Sequence, residues 1–229
     1  MSGTLLLGID IGTYSSKGVL ATPDGEVVAS HVVEHGISMP RPGWVEQDAD
    51  GVWWHDTVAI CRALLDGRYR GEDVGAMAVS AIGPCMLPVD ADGCPLRPGV
   101  LYGIDTRAQA EIDWLNAEFG EEVLFDLGGM ALTSQAIGPK ILWLRRNEPD
   151  VYAKTHKILT ASSYLIHRLT GEYVIDRHTG AHFNPLVDIA TLEWDGRFAG
   201  PIVELEKLPR LAWSTEIAGT VGAKAAAET

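Results

Sequence analysis

The segment Leu5-Leu6-Leu7-Gly8-Ile9-Asp10-Ile11-Gly12-Thr13-Tyr14-Ser15-Ser16-Lys17-Gly18-Val19-Leu20 narrows the possible folds more than any other part of the chain. An apolar run ends in an acid, crosses a Gly-Thr-Tyr-Ser-Ser turn and re-enters an apolar run. Runs this short, bounded by Gly and Ser, predict two strands joined by a tight loop. Pro23-Asp24-Gly25 is a strong turn signal, and Val27 to Val33 reads as a third strand. Three antiparallel strands before any helix differ from the βαβ opening of a dinucleotide fold. The first loop also carries chemistry. Gly12 lets backbone N–H groups approach an anion, and the hydroxyls of Thr13 and Ser15 can donate to phosphate oxygens. Lys17 adds positive charge, and a carboxylate such as Asp10 can hold Mg2+ through water. The Walker loop is different, because it needs Gly-Lys-Ser/Thr at the start of a helix.

Composition excludes several partners. The net charge of −13 argues against nucleic acid and anionic membranes, which demand clustered Lys and Arg. Cys61, Cys85 and Cys94 are an odd number without metal-ligand spacing and read as free thiols in a reducing compartment. No stretch approaches the ~20 apolar residues of a membrane span. With no signal-cleavage pattern at the N-terminus, the expected location is cytoplasmic.

Beyond the first hairpins, Asp48 or Asp50 is expected to cap a helix starting near Gly51. Its core face would carry Trp54, Val58, Cys61 and Leu65. Val74 to Ser80 reads as a buried strand, with Met86 to Val89 as its hairpin partner. Asp105 or Thr106 would cap a helix running to about Asn116. Further helices are expected over Glu121–Asp126, Pro139–Arg146 and Ser162–Thr170, the last closed by Gly171. His156 to Thr160 reads as a short strand. The stretch from Gly222 to Thr229 looks like the start of a helix with no docking face, so the polypeptide is expected to continue. Hairpins followed by alternating helix and strand predict one α/β domain with a mixed sheet.

Five segments in order resemble the FGGY family of carbohydrate kinases. They are Asp10-Ile11-Gly12-Thr13-Tyr14-Ser15-Ser16-Lys17, Gly43-Trp44-Val45-Glu46-Gln47-Asp48, Tyr102-Gly103-Ile104-Asp105-Thr106-Arg107, Pro139-Lys140-Ile141-Leu142-Trp143-Leu144 and Leu169-Thr170-Gly171-Glu172. In the third, Tyr102 replaces the family's usual tryptophan. The resemblance implies a ribonuclease-H-like domain of the actin-like ATPase superfamily, spanning 1–229. It also implies transfer of the γ-phosphoryl of ATP to a hydroxyl of a ketopentose such as xylulose, or of a related sugar or polyol. Gly12, Thr13, Ser15 and Lys17 would contact phosphate, and Asp10 would hold Mg2+ through water. Asp105 would accept sugar hydroxyls with Arg107 fixing it, and Gly83, Pro84 and Gln135 would line the sugar. A homodimer of the full-length protein is one expectation.

The family's Gln-Met-His or Gln-Arg-Glu loop is here Ile82-Gly83-Pro84, a departure that bears on substrate choice. His178 and His182 stand where the family usually has Asp-x-Ser-x-Ala-Ser, and they read as surface or capped histidines. The family's catalytic base, an aspartate in a Gly-x-x-Asp segment, would fall after Thr229, and the nucleotide-binding domain would follow it. The resemblance therefore implies that this piece alone does not phosphorylate sugar. Two other classes stay open: a non-catalytic sugar- or phosphate-binding domain, and a nuclease using Asp10 and Asp105 with two metals.

Overall fold

A computed structural model describes residues 4–229. The first three strands are β1 (Leu5–Ile11), β2 (Ser15–Ala21) and β3 (Val27–Glu34), antiparallel in sequence order as expected. β4 (Glu46–Gln47), a π-helical stretch over Ala49–Trp54 and α1 (His55–Leu64) precede β5 (Val74–Ala81). β5 joins β1 in parallel, giving a mixed sheet of order β3-β2-β1-β5. This is the sheet that the resemblance implied.

Side-chain alternation gives the sheet two unlike faces. Leu5, Leu7, Ile9, Ile11, Ser16 and Leu20 are buried on one face. There they pack with Trp53, Ile60, Cys61 and Leu64 of the first helical segment and with Tyr164 and Leu165 further along the chain. The opposite face is open and carries Leu6, Asp10, Lys17 and Val19.

The approach of β2 to α1 is close because Gly18 has no side chain. A Cβ there would stand 2.2 Å from Ile60 Cγ2. Gly18→Val is therefore expected to destabilise the domain by about 1–3 kcal/mol through overpacking, read as a lower urea midpoint. An unchanged midpoint would mean that β2 and α1 part easily.

The rest of the chain in part extends the sheet's core and in part builds a second cluster beside it. β6 (Leu87–Val89) and β7 (Gly99–Val100) are followed by α2 (Gln109–Phe119), α3 (Glu121–Gly128), α4 (Ile137–Asn147) and α5 (Pro149–Lys154). Then come β8 (Lys157–Leu159), α6 (Ala161–Thr170), β9 (Val174–Asp176) and α7 (Arg177–Gly180). β10 (Val187–Asp188), β11 (Glu193–Trp194), β12 (Arg210–Ala212) and α8 (Ala223–Glu228) complete the series. β6, β8, α6 and α8 extend the sheet's core. The second cluster gathers Met86, Ile112, Leu115, Ile137, Ile141, Phe183 and Ile202. The Gly171 stop on α6 is present: its φ is +83° and its N–H donates to the His167 carbonyl.

Several expectations are corrected. Met86–Val89 is no hairpin partner of β5; β6 pairs with β8, and Met86 bridges to Val100. β5 stays bonded to β1 up to the Ile82 N–H, which donates to the Ile11 carbonyl at 2.6 Å, and the chain leaves the sheet beyond it. β5 is not buried either: among the described residues it pairs only with β1, and Gly75, Ala76, Ala78 and Ser80 are exposed. Asp48 does cap the first helical segment, accepting from the Asp50 and Gly51 N–H groups. Its buried face, however, runs Trp53, Thr57, Ile60, Leu64, with Trp54 and Cys61 beside it. α2 begins at Gln109 with no side-chain cap, since Asp105 is engaged elsewhere. α8 does have a docking face, because Ala225 is buried and Glu228 accepts from Trp54 Nε1 at 2.7 Å.

Candidate phosphate and sugar site

At the end of the sheet, strand register puts three polar side chains in a row on the open face. Asp10 of β1 lies opposite Lys17 of β2 and opposite Ser80 of β5. Cross-strand partners share a face, so the three stand side by side. Asp10 and Lys17 are exposed. Ser80 carries no local sequence signal; only the register with β1 reveals it. The turn between the strands is closed by the Gly12 N–H donating to the Ser15 carbonyl at 3.0 Å. A Cβ on Gly12 would meet that carbonyl oxygen at 2.7 Å, so the tightness of the turn requires glycine.

β4 connects this turn to Asp105. Successive strand residues point to opposite sides. Gln47 reaches the turn, donating through Nε2 to the Thr13 carbonyl at 2.9 Å. Glu46 points the other way, to 2.8 Å from Arg107 Nη1, in ion-pair contact off the line of a hydrogen bond. Glu46 also pairs with Arg97, which holds Glu148 with Nη1 2.9 Å from both carboxylate oxygens.

Asp105 does not stand free at a pocket wall. It is 1% exposed, and both its oxygens are taken. The Val45 N–H donates to Oδ2 at 2.7 Å, and Arg107 Nη2 does so at the same distance. The Arg107 N–H and Nε reach Oδ1 at 3.1 and 3.0 Å. Arg107 is fully enclosed, lying over the Trp44 ring at 4.0 Å and the Trp143 ring at 5.0 Å. Planar guanidinium suits both the carboxylate fork and the indole faces. The pair anchors the loop that precedes it, Tyr102-Gly103-Ile104.

That loop meets the other expected sugar contacts. A Cβ on Gly83 would touch the Tyr102 ring at 3.6 Å, and one on Gly103 would come within 3.5 Å of the Gln135 amide. Pro84 is buried and Gln135 exposed. Ser134 Oγ donates to the Gly103 carbonyl at 2.6 Å, tying the two loops. The wall formed by Gly83, Tyr102, Gly103 and Gln135 is mostly uncharged.

Behind the wall lies a residue the sequence reading left without a role. Lys140 of α4 is 1% exposed and donates to the Ser134 carbonyl at 2.5 Å. Burial pulls its ammonium down from 10.5 to about 8, a shift that Asp105 partly opposes. Between those values the unfolded lysine holds its proton and the folded one releases it, so the unfolded state binds more protons and stability rises with pH. Below the lower value the full penalty applies, about 3 kcal/mol. The stability difference between wild type and Lys140→Met is thus expected to move in favour of wild type from neutral pH to pH 10.5. Urea unfolding at several pH values measures it; a flat difference would mean that Lys140 titrates alike in both states.

The remaining candidates lie outside this arrangement. His178 and His182 stand edge to face with ring centroids 5.7 Å apart. Burial, then the neighbouring His178, holds His182 below the usual histidine value. Among the described residues no three His, Cys, Asp or Glu side chains could share a metal ion. A groove of about 800 Å³ runs along β5 and the 212–221 segment and includes none of the candidate residues. No helix among the described residues is long and apolar enough to cross a membrane.

Comparison with known proteins identifies the family and the fold. Residues 5–229 match the profile described as the FGGY family of carbohydrate kinases, N-terminal domain. The xylulose kinase of Escherichia coli (strain K12) is 30% identical over 218 residues, covering 95% of this chain and 44% of that protein. Glycerol kinase 2 of Streptomyces avermitilis is 30% identical over 222 residues, covering 93% of this chain and 44% of that protein. The crystal structure of xylulose kinase from Rhodospirillum rubrum superposes with a TM-score of 0.91 at 28% identity, covering 98% of this chain and 46% of the other. The chain therefore spans about half the length of the relatives it matches. With the profile running from β1 to the last residue and the mixed sheet superposing on a xylulose kinase, the chain belongs to the FGGY family of carbohydrate kinases, as its N-terminal domain.

Proposed function

We propose that the full-length protein transfers the γ-phosphoryl of ATP to a hydroxyl of a small carbohydrate, a ketopentose such as xylulose or a related sugar or polyol. The observation that carries this reading is the row of Lys17, Asp10 and Ser80 at the mouth of the Gly12–Ser15 turn. Phosphoryl transfer needs positioning and charge neutralisation more than covalent chemistry. Gly12, Thr13 and Ser15 would hold the transferring phosphate, and Lys17 would offset its charge. The donor set fits Mg2+, since one exposed carboxylate beside a hydroxyl suits an ion that keeps its waters and shares phosphate oxygens. Asp10 would hold the ion through water, and the bound ion would neutralise charge on the phosphates.

Asp105 and Arg107 are proposed to act on the sugar through the Tyr102-Gly103-Ile104 loop they anchor, with Gly83, Pro84 and Gln135 at the wall. The three relatives named above are xylulose and glycerol kinases, and the uncharged Ile82-Gly83-Pro84 loop leaves the sugar to be found by assay. The three free cysteines suit a reducing, cytoplasmic setting. An ADP-release assay of the full-length protein against xylulose, glycerol, gluconate and related polyols tests the proposal. One sugar is expected to stimulate ADP release strongly, while the 229 residues alone give none. Saturable sugar binding with no ADP from the full-length protein would favour a non-catalytic binding domain, the reading to which the apolar loop points.

A further inference from the structure

Two consecutive peptide groups in the Gly12–Ser15 turn are held from behind by side chains that the phosphoryl-transfer reading does not use. His35 places Nε2 3.0 Å from the Gly12 carbonyl oxygen. Gln47 Nε2 donates to the Thr13 carbonyl at 2.9 Å. In a planar trans peptide the C=O and the following N–H point in opposite directions. Holding the Gly12 carbonyl inward therefore turns the Thr13 N–H outward, and holding the Thr13 carbonyl does the same for the Tyr14 N–H. Neither N–H has an acceptor among the described residues.

Each brace is itself supported. His35 Nδ1 lies 2.7 Å from Asp56 Oδ2, which also accepts the Ser16 hydroxyl at 2.7 Å. Asp56 Oδ1 faces His55 Nδ1 at 3.1 Å. The Gly12 carbonyl can only accept, so Nε2 is the end of the His35 ring that donates to the turn. Gln47 has its own anchor, accepting Trp53 Nε1 at 2.9 Å. The His35 and Asp56 side chains are 7% and 3% exposed, and Gln47 is 2% exposed. Water has little access to loosen these bonds.

We propose that His35 and Gln47 are positioning residues that present the Thr13 and Tyr14 N–H groups as a two-amide nest for a phosphate oxygen, with Asp56 and Ser16 setting the His35 ring. Successive N–H groups converging on one point form such anion sites. The proposal rests on the reading of Gly12–Ser15 as the phosphate loop.

The test is a titration of the 15N-labelled chain with inorganic tripolyphosphate, following the Thr13 and Tyr14 amide signals, with thermal unfolding recorded for every variant. In wild type both amides are expected to shift saturably. His35→Phe removes the donor and should weaken tripolyphosphate at least tenfold. His35→Gln restores an N–H donor and should recover most of that loss, even where both variants lose similar thermal stability. A merely structural histidine would give matched losses of stability with no such recovery. If His35→Phe does not fold, Asp56→Asn decides: it leaves the ring in place, and weaker binding at unchanged fold supports the proposal. Wild-type affinity in either folded variant overturns the brace while leaving the phosphate loop standing. Absence of any saturable shift in wild type overturns the phosphate-loop reading and the brace together.

Discussion

Asp10→Asn in the full-length protein is expected to lower kcat for sugar phosphorylation by about a hundredfold or more, with little change in sugar KM. The side chain is exposed on the open face of β1, and nothing in the described chain bonds to it. The substitution removes one negative charge at nearly constant shape, so unfolding should be unaffected. Loss of kcat without loss of stability is the signature of a group that acts only when Mg2+ and phosphate are present. The measurement is steady-state ADP release over a range of Mg2+, alongside a urea curve. A kcat within threefold of wild type would remove Asp10 from the metal site.

Arg107→Leu should have the largest effect on stability, about 3–5 kcal/mol, because it strips the partner from buried carboxylates. Asp105 and Glu46 would be left with reduced compensation, and two indoles would lose the cation between them. Arg107→Lys should recover only part of the loss, since an ammonium cannot reproduce the two-pronged contact with Asp105. Urea unfolding of the chain measures both variants. A loss below about 1 kcal/mol for Arg107→Leu would mean that the surrounding carboxylates adapt without it.

The opening hairpins were legible in the sequence because their cause is local. Alternation and Gly-rich turns specify β1, β2 and β3 with no help from distant residues. β6 was misplaced for the converse reason: its partner β8 lies far along the chain, and no local pattern marks such a pairing. The buried face of α1 was read one residue late because two adjacent apolar sets, one through Trp53 and Ile60 and one through Trp54 and Cys61, both fit helical spacing. Asp105 and Arg107 were found as a pair, but not that both are buried in one network with the Val45 N–H, Glu46 and two tryptophans, which the fold brings together from elsewhere. Ser80 and His35 were invisible because only register and the fold bring them to the Gly12 turn.

The outer edge of β5, which has no strand partner among the described residues, has a practical consequence for anyone handling this domain alone. A strand of Gly, Ala, Val, Met and Ser that presents such an edge is a template on which another strand can assemble. The exposed Trp213, Ile217 and Val221 lie along the same groove and enlarge the adhesive area. Opposing them is the net charge of −13, which keeps copies apart at low ionic strength and is screened as salt is added. Light scattering should therefore report a monodisperse domain in dilute buffer and growing particles as salt rises, the reverse of what attraction between opposite charges would produce.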